Sequence, residues 1–336
     1  MSETVVKVEG IKKWFPVRMG FVTSLLSRKQ LYVKAIDGVS FEVKKGEIFG
    51  LAGESGSGKT TTGRVILRLI EPTAGKITFS GKDITHLDDD QMKPLRRNMQ
   101  IVFQDPYESL NPRMTVGDII AEPLHVLHAA DSEKELEERV KQVLEDAELF
   151  PAEEFLFRYP HELSGGQRQR VATARAFVLR PEFVVADEPV SMLDVSTRAE
   201  ILKLMVSFVE KYSTSFLYIT HDLALARHMC DRIGIMYLGK IMELGTTDQV
   251  ISETMHPYTK ALIAAVPVPD PTSKRIEVVI KGEIPSPVNP PSGCRFHTRC
   301  PSYIGDICRQ KEPPLVDMGQ GHLVACHLYD DKTAKA

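Results

Sequence analysis

The stretch that decides the fold reads Gly53-Glu54-Ser55-Gly56-Ser57-Gly58-Lys59-Thr60. It matches the pattern G-x-x-x-x-G-K-[ST] in full. Residues Glu47–Leu51 before it have a strand pattern, and a helical pattern runs from Thr60 to Ile70 and stops near Pro72. Because a strand, a glycine-rich turn and a helix in this order form a phosphate-binding loop, the sequence predicts an α/β fold built around one.

Each part of this loop suits the binding of a triphosphate. Gly53, Gly56 and Gly58 permit the backbone path that aims N–H groups inward at the start of a helix. Lys59 can reach the β- and γ-phosphates, and the hydroxyl of Thr60 can bind Mg²⁺. The predicted nucleotide contacts also take in Glu54, Ser55, Ser57 and Thr61. The alternative is a purely structural glycine-rich turn.

A pair of carboxylates follows a second apolar strand. Residues 182–186 form a nearly continuous apolar run of the kind found in buried parallel strands, and Asp187 and Glu188 come directly after it. Asp187 is predicted to bind Mg²⁺, and Glu188 to act as the general base or to orient the attacking water. Adjacent Asp and Glu residues are common on protein surfaces, but the strand, Pro189 and the upstream loop favour the catalytic interpretation.

The stretch Leu163-Ser164-Gly165-Gly166-Gln167 makes sense only together with the phosphate loop. It resembles the signature of ATP-binding-cassette (ABC) ATPases, an α/β P-loop fold with an inserted helical subdomain. The resemblance implies that the ATP held by an opposite subunit's phosphate loop meets Ser164, Gly165, Gly166 and Gln167. The positive end of the helix that continues through Arg168 suits a γ-phosphate. The complete ATP site would therefore form between two chains.

The same resemblance assigns further positions around the nucleotide. Gln104, after the predicted strand Met99–Phe103, matches the glutamine that contacts Mg²⁺ and faces the membrane subunits. His221, after the predicted strand Ser215–Ile219, matches the switch histidine at the γ-phosphate. With these positions intact, a working ATPase is expected.

Two more positions are assigned by resemblance, each with a departure or an alternative. Residues 191–194 match the D-loop, which ends at Asp194, and Met192 stands where alanine is commoner. Phe15 aligns with the aromatic residue that stacks on adenine. Trp14 is the competing candidate, and either ring could instead belong to the core.

Composition limits the class of protein. A chain of 336 residues favours two domains, and the formal net charge of −3 gives no reason to expect nucleic acid as the main partner. No apolar run reaches 18 residues, and the N-terminus lacks the features of a secretory signal. Any membrane role is therefore expected to come through partner subunits.

The chain is predicted to divide at about residue 254. Residues 1–254 would form the nucleotide-binding domain, with a helical subdomain at about 105–163, and residues 255–336 a small, loop-rich C-terminal region. Within the first domain, residues 4–9 alternate as a strand does, and residues 16–34 are predicted to be an inserted loop. The loop carries the apolar tract Phe21–Leu26, which could pack on its own domain or contact a membrane partner.

The C-terminal region points to one group within the ABC family. The stretches His256–Leu262, Val266–Pro269, Gly282–Pro287 and Pro291–Pro301 are similar to the ATPase subunits of oligopeptide/dipeptide ABC importers. The loop at 16–34 further resembles the second of the two ATPase subunits that these importers usually contain. The resemblance implies a heterodimer with a paralogous ATPase, bound beneath two membrane permeases at the cytoplasmic face and served by an extracytoplasmic binding protein.

Four of the five cysteines share this region, at Cys294, Cys300, Cys308 and Cys326. Their spacing is neither that of a ferredoxin nor the paired C-x2-C of common zinc sites. The family region resembles ones that carry a [4Fe-4S] cluster, so a structural or regulatory cluster is the first expectation. Zinc is the second, with possible help from His297, His322 and His327. Incidental thiols are the third.

Two other functions remain open from the sequence. An importer of the same subfamily could carry nickel or oligosaccharides, because the binding protein and the permeases select the cargo. A soluble ABC ATPase of translation or DNA repair is the other class. Such proteins usually fuse two cassettes or insert a long coiled coil, and this sequence shows neither.

Overall fold

The computed structural model describes residues 3–17, 30–265, 280 and 282–330. These residues group into two compact units. Unit 1 lies within Met1–Val6, Val43–Ile48 and Phe79–Ile219, and unit 2 lies within Lys7–Glu42, Phe49–Thr78 and Thr220–Ala336. The division therefore does not follow the predicted boundary near residue 254, which stays a prediction.

The strands of the described chain are β1 (Thr4–Pro16), β2 (Tyr32–Lys44), β3 (Ile48–Ala52), β4 (Ala74–Phe79), β5 (Lys82–Asp83), β6 (Met99–Val102), β7 (Phe183–Asp187), β8 (Ser215–Thr220), β9 (Arg232–Tyr237), β10 (Lys240–Thr246), β11 (Val316–Asp317) and β12 (Leu323–Val324).

The helices are α1 (Lys59–Ile66), α2 (Asp89–Arg96), α3 (Pro106–Ser109), α4 (Val116–Val126), α5 (Glu133–Asp146), α6 (Ala152–Leu156), α7 (Gly165–Phe177), α8 (Val195–Tyr212), α9 (Leu223–Met229), α10 (Thr247–Ser252), α11 (Pro257–Ala264) and α12 (Asp306–Gln310), with a 3₁₀ turn at Pro160–Glu162. Within the described ranges, no helix is both long and apolar enough to cross a membrane.

Parallel strands form the centre of unit 1. Strand β7 pairs with β6 on one side and with β8 on the other, with Val184 opposite both Gln100 and Phe216. Every residue of β7 and β8 is buried, as expected for parallel strands that are covered on both faces. The two apolar runs of the sequence are therefore confirmed as buried strands, and their carboxyl ends lie at one edge of the sheet.

Helices fill the rest of unit 1. Its two longest helices between β6 and α7 are α4 and α5. The Thr115 hydroxyl caps α4 by accepting the Asp118 N–H, and the Ser132 hydroxyl caps α5. Together with α3, α6 and the 3₁₀ turn they occupy the stretch predicted as a helical subdomain.

In unit 2, strand β3 delivers the phosphate loop. It runs parallel to β9, with Ala52 opposite Ile235, and β9 turns at Gly239 into the antiparallel β10. The chain thus forms a β-hairpin around Gly239. Strand β12 adds to β10, with Glu243 opposite Val324, and β11 adds to β12. The C-terminal region therefore extends the same sheet that carries the loop.

Three predicted elements have the wrong bounds, namely the strand at 4–9, the inserted loop at 16–34 and the helix from Thr60 to Ile70. Strand β1 continues past residue 9 to Pro16, and β2 begins at Tyr32, because β1 lies between β2 and β4 in their sheet and this pairing sets the strand ends. Helix α1 ends at Ile66 instead of Ile70, since Arg68 adopts a left-handed backbone with φ of 54°. Cys230 directly follows α9, and burial raises the pKa of its thiol above the usual range. The tract Phe21–Leu26 and the stretch Val266–Pro269 lie outside the described residues.

A buried histidine starts α11 and makes stability depend on pH. His256 is 1% exposed, and its Nδ1 accepts the Tyr258 N–H at 3.0 Å. Burial lowers the pKa of His256 to about 4, although the Glu243 carboxylate acts in the opposite direction. Because unfolded histidine has a pKa of about 6.5, the unfolded chain takes up this proton first as the pH falls. Stability is therefore lost between pH of about 6.5 and about 4.

We expect His256→Asn to remove this contribution, because asparagine keeps a side-chain acceptor for the cap and does not titrate. Between pH 7 and pH 5 the wild-type protein should lose about 2 kcal/mol of unfolding free energy more than the variant. Denaturant unfolding at both pH values measures the difference. The control is His228→Asn, at an exposed position of α9. Equal pH dependence in wild type and His256→Asn would contradict the assignment.

Candidate active site

The phosphate loop of unit 2 requires glycine at two positions. Gly53 and Gly58 have positive φ angles of 149° and 106°. A Cβ at Gly53 would lie 2.2 Å from the Met236 carbonyl oxygen, and one at Gly58 would lie 2.2 Å from the Ala35 carbonyl oxygen. Both the backbone conformation and the close approach therefore exclude larger residues. The loop leads directly into α1, whose first turn contains no acidic residue.

Lys59 is held against the loop that precedes it. Its side chain is almost fully buried, and its ammonium group donates to the carbonyl oxygens of Gly53 at 2.8 Å and Glu54 at 3.1 Å. Thr60 and Thr61 follow in the first turn of α1. Among the described residues, the buried hydroxyl of Ser57 has no hydrogen-bond partner. A concave backbone, a positive helix end, a lysine and an orphaned hydroxyl together fit an anionic ligand.

Glu54 of the same loop has contacts that the sequence did not predict. Its carboxylate pairs with the Arg299 guanidinium at 2.9 Å, and its N–H donates to the Tyr258 hydroxyl at 3.0 Å. Both partners lie in sequence stretches that pointed to the C-terminal region but were given no individual role. The sequence shows a glutamate in the loop and an arginine beside Cys300, but no local pattern indicates that the two side chains form an ion pair.

The two predicted carboxylates lie at the carboxyl end of β7 in unit 1. Asp187 ends the strand and is 3% exposed. Glu188 adopts a positive φ of 46°, and its N–H donates to the Ile219 carbonyl oxygen at 3.0 Å. The Ser191 hydroxyl donates to the Glu188 carbonyl oxygen at 3.0 Å. The backbone of Glu188 is thus fixed in a conformation that L-residues seldom adopt, as is common where a side chain must be aimed.

Gln104 lies beside this pair, two residues after the end of β6. Its amide approaches the Glu188 carboxylate, with 3.5 Å between Nε2 and Oε2, which is long for a hydrogen bond. Adjacent parallel strands place both residues at the same sheet edge. The structure therefore brings Gln104, Asp187 and Glu188 together within unit 1.

The signature stretch begins α7. Ser164 caps this helix by accepting the Gln167 N–H at 3.3 Å, and the Gln167 side chain accepts the Ser164 N–H at 3.0 Å. Ser164 is exposed and Leu163 is buried. Gly166 packs against Thr197, since a Cβ there would lie 2.6 Å from the Thr197 Cγ2. With no acidic residue in its first turn, this helix presents a positive end to solvent.

Asp194 has a local structural role. It caps α8 by accepting the Thr197 N–H at 3.0 Å, and its carboxylate also accepts the hydroxyls of Ser196 at 2.6 Å and Thr197 at 2.7 Å. These hydrogen bonds hold the pKa of Asp194 well below its usual range, and the bond from the Ser196 hydroxyl has the largest effect. Its assignment to the nucleotide remains a prediction, since the carboxylate already serves the helix.

The remaining predicted residues lie in unit 2. Phe15 is half-buried in β1, with the Lys13 ammonium 5.1 Å from its ring centre. The competing Trp14 is engaged by its neighbours: its indole N–H donates to Asp37 at 3.2 Å, and the Lys34 ammonium lies 4.7 Å from its ring. His221 is exposed and directly follows β8.

Two of the four clustered cysteines are joined through their backbones. The Cys294 N–H donates to the Cys308 carbonyl oxygen at 2.9 Å. Burial raises the pKa of the Cys294 thiol to about 12, and the thiols of Cys326, Cys300 and Cys308 add to the effect. In the part of the chain that the structure describes, no group of three or more His, Cys, Asp or Glu side chains is placed to hold a metal ion. This arrangement does not support the predicted [4Fe-4S] cluster.

The histidines considered as zinc ligands have other partners. His297 Nδ1 lies 2.8 Å from the Cys294 carbonyl oxygen, and His322 Nε2 lies 2.9 Å from the buried Glu243 carboxylate. His327 contacts Asp330 at 2.7 Å. The zinc alternative gains no support from these side chains.

Comparison with known families gives two matches along the chain. The ABC transporter family matches residues 36–191, and the oligopeptide/dipeptide transporter C-terminal region matches residues 242–308. Solved cassettes have a similar fold. The dimeric MJ0796 cassette bound to ADP and Pi has a TM-score of 0.61 at 31% identity, covering 72% of this chain and 98% of that one. CbiO1 from Clostridium perfringens has a TM-score of 0.63 at 26% identity, covering 75% and 92%.

Curated relatives match over almost the full length. The oligopeptide transport ATP-binding protein AppF of Bacillus subtilis is 48% identical over 98% of both chains. The probable peptide ABC transporter ATP-binding protein y4tS of Sinorhizobium fredii is 46% identical over 98% of this chain and 91% of that protein. Identity of this extent across both matched regions shows the family. The chain therefore belongs to the ATP-hydrolysing subunits of ABC transporters, in the group that carries the oligopeptide/dipeptide transporter C-terminal region.

Proposed function

We propose that this chain binds and hydrolyses ATP to power the import of di- or oligopeptides through a membrane ABC transporter. The observation that carries the proposal is that one chain joins an intact phosphate loop to the oligopeptide/dipeptide transporter C-terminal region. The full-length relatives named for oligopeptide transport support it. Two membrane permeases and an extracytoplasmic binding protein are the partners that such an importer needs.

ATP binding is proposed to rest on the loop at 53–60. Its N–H groups and the helix dipole of α1 would hold the phosphates, and Lys59 would exchange its bonds to loop carbonyls for bonds to the β- and γ-phosphates. The orphaned Ser57 hydroxyl supports this role, because a phosphate oxygen would give it a partner. Phe15 is the proposed platform for adenine, since Trp14 is engaged elsewhere.

The proposed magnesium ligands are Thr60, Gln104 and Asp187. All three offer oxygen donors, which is the ligand type that Mg²⁺ prefers, so the residues fit the metal. When bound, Mg²⁺ supplies positive charge that offsets the charge of the phosphates. Asp187 suits the role because its position at the end of a buried strand fixes its direction.

Glu188 is proposed to take the proton from the attacking water. Its backbone is fixed by the bond to Ile219 and by Ser191, so the side chain starts from a fixed position at the strand end. The Gln104 amide beside it would help to orient the carboxylate. His221 is the proposed contact to the γ-phosphate, and it would distinguish the ATP state from the ADP state.

The second ATP-binding face is proposed to come from a paralogous ATPase subunit. The exposed, positive start of α7 at Ser164 to Gln167 is suited to the γ-phosphate of a nucleotide held by another chain. Dimeric MJ0796 is a similar cassette in its post-hydrolysis state, which supports an arrangement of two cassettes. We place the assembly at the cytoplasmic face of the membrane, bound to the permeases, and propose no nucleic-acid partner.

The ATPase rate tests this function. It should be measured for the chain alone, then with its paralogue and the permeases in lipid, with and without a peptide-loaded binding protein. We expect stimulation only in the full complex with loaded binding protein. Hydrolysis that is equally fast for the isolated chain would favour a soluble ATPase, and stimulation by nickel-loaded or oligosaccharide-loaded binding protein alone would reassign the cargo.

A [4Fe-4S] cluster is proposed for the four cysteines, with a structural or regulatory role. Its support is that the four cysteines share one loop-rich region, which resembles regions that carry such a cluster. Wild-type protein purified without oxygen should contain iron and acid-labile sulfide, and Cys300→Ser should lose both and melt at a lower temperature. Cys230→Ser, which changes the cysteine outside the group, is the control. Zinc in the wild-type protein would support the zinc site instead of the cluster. The absence of any metal would contradict both alternatives.

A further inference from the structure

Glu54 connects the phosphate loop to the C-terminal region through three different groups. Its carbonyl oxygen accepts a hydrogen bond from the Lys59 ammonium at 3.1 Å. Its N–H donates to the Tyr258 hydroxyl at 3.0 Å. Its carboxylate accepts a hydrogen bond from the Arg299 guanidinium. Glu54, which accepts a hydrogen bond from Lys59, is therefore itself fixed by Tyr258 at its backbone and by Arg299 at its side chain.

The contact between Arg299 and Glu54 has the geometry of a fork. Arg299 Nη1 lies 2.9 Å from Oε2, and Nη2 lies 3.4 Å from Oε1. The arginine side chain is 10% exposed and that of the glutamate is 22% exposed. One contact is short and the other is long, and together they set the direction as well as the distance between two mostly buried groups. A lysine at this position would keep the charge but would lose the fork.

The Arg299 side chain contacts a group of packed aromatic residues. Its guanidinium donates to the Tyr237 hydroxyl at 3.3 Å and lies 5.8 Å from the Tyr237 ring centre. Tyr237 packs on Tyr258 and Phe296, with ring centres 4.7 Å and 5.4 Å away. All three rings are buried. The Arg299 backbone N–H also donates to the Phe296 carbonyl oxygen, so the backbone and the side chain of Arg299 both contact this aromatic group.

We propose that Arg299 is a positioning residue for ATP: it holds Glu54, and through it the loop segment that orients Lys59. The proposal rests on the proposed ATP binding by this loop. It gives the C-terminal region a role in the nucleotide site itself, in addition to any role in recognising a transporter. The arginine also offsets a negative charge that would otherwise lie in a loop built for phosphates.

The charge balance predicts the sign of each change. Without the guanidinium, the Glu54 carboxylate is left without its cation beside the binding place of a highly negative ligand, and repulsion weakens ATP binding. Removing the glutamate charge as well removes the repulsion. A merely structural role for Arg299 predicts the opposite pattern, because the double substitution then adds damage.

The experiment compares wild type, Arg299→Gln, Glu54→Gln and the double variant. The readouts are the Kd of a fluorescent ATP analogue for the chain, and KM and kcat for ATP in the assembled transporter. We expect Arg299→Gln to raise Kd and KM by about tenfold with kcat changed by less than about twofold, and the double variant to recover most of the loss. Arg299→Lys should lie between wild type and Arg299→Gln. Arg309→Gln is the control, since that arginine is exposed in the same region.

Unchanged Kd and KM in Arg299→Gln would overturn the proposal. So would a loss that the double variant does not recover, and thermal melting would then identify general destabilisation as the cause. The failure of the proposed function has a different signature. Wild-type protein that binds the analogue but never hydrolyses ATP in the transporter would remove the proposed function, whereas the Kd comparison would still decide the role of Arg299.

Discussion

Glu188→Gln is expected to bind ATP as wild type does and to lose about 100- to 10,000-fold of the hydrolysis rate. The substitution keeps the size of the side chain and removes the carboxylate that is proposed to take up the proton. Because the Glu188 backbone is held by Ile219 and Ser191, the amide should occupy the same place as the carboxylate. With hydrolysis blocked, ATP should accumulate in a closed dimer with the proposed paralogous subunit.

Single-turnover hydrolysis in the assembled transporter measures this effect, and size-exclusion chromatography with ATP detects the dimer. Glu210→Gln is the control, because it makes the same chemical change at an exposed position of α8. A variant that hydrolyses ATP at the wild-type rate would exclude Glu188 as the base. The proton would then have to go to another acceptor near the attacking water.

Lys59→Ala is expected to weaken ATP binding by about 100-fold, which corresponds to about 2.8 kcal/mol. The lysine is buried among loop carbonyls. Its removal eliminates the positive charge that would face the phosphates and also the hydrogen bonds to the carbonyl oxygens of Gly53 and Glu54. Adenosine, which has no phosphates, should bind wild type and variant with similar affinity.

Titration with a fluorescent ATP analogue, with competition by ATP and adenosine, checks this prediction. Lys203→Ala on the exposed face of α8 controls for the loss of a lysine. Equal loss of ATP and adenosine would show that the variant is damaged in general. Unchanged ATP affinity would contradict the assignment of residues 53–60 as the phosphate site.

Features that depend on short stretches could be predicted from the sequence. The loop at 53–60, the carboxylates after β7 and the start of α7 at Ser164 each combine a strand or helix signal with residues of fixed spacing. Their physics is local, because a glycine-rich turn, a strand end and a helix cap are set within a few residues. The structure has all three where the sequence placed them.

Strand and helix ends were less predictable. Strand β1 continues to Pro16 because it pairs on both sides, and this pairing has no signature within residues 10–16. In α1 the apolar spacing continues to Ile70, but Arg68 turns left-handed and Leu69 is 46% exposed. A periodic pattern shows where a helix can form and leaves its end to tertiary contacts.

The contacts of Glu54 could not be predicted at all. Arg299 lies 245 positions further along the chain, and an ion pair at such a separation depends on the whole fold of unit 2. The same holds for Asp37, whose carboxylate binds both the Trp14 indole N–H and the buried Arg295. These long-range pairs tie the C-terminal region to the loop-bearing part of the unit.

Uptake of a labelled peptide tests the central claim most directly. Proteoliposomes would contain this chain, the proposed paralogous subunit and the permeases, with ATP on the side of the ATPase subunits and loaded binding protein on the other. The account predicts uptake that requires ATP and stops with Glu188→Gln, while Glu210→Gln remains active. Peptide uptake that is equally fast without ATP or with Glu188→Gln, or ATP-driven uptake of another solute in place of peptide, would contradict it.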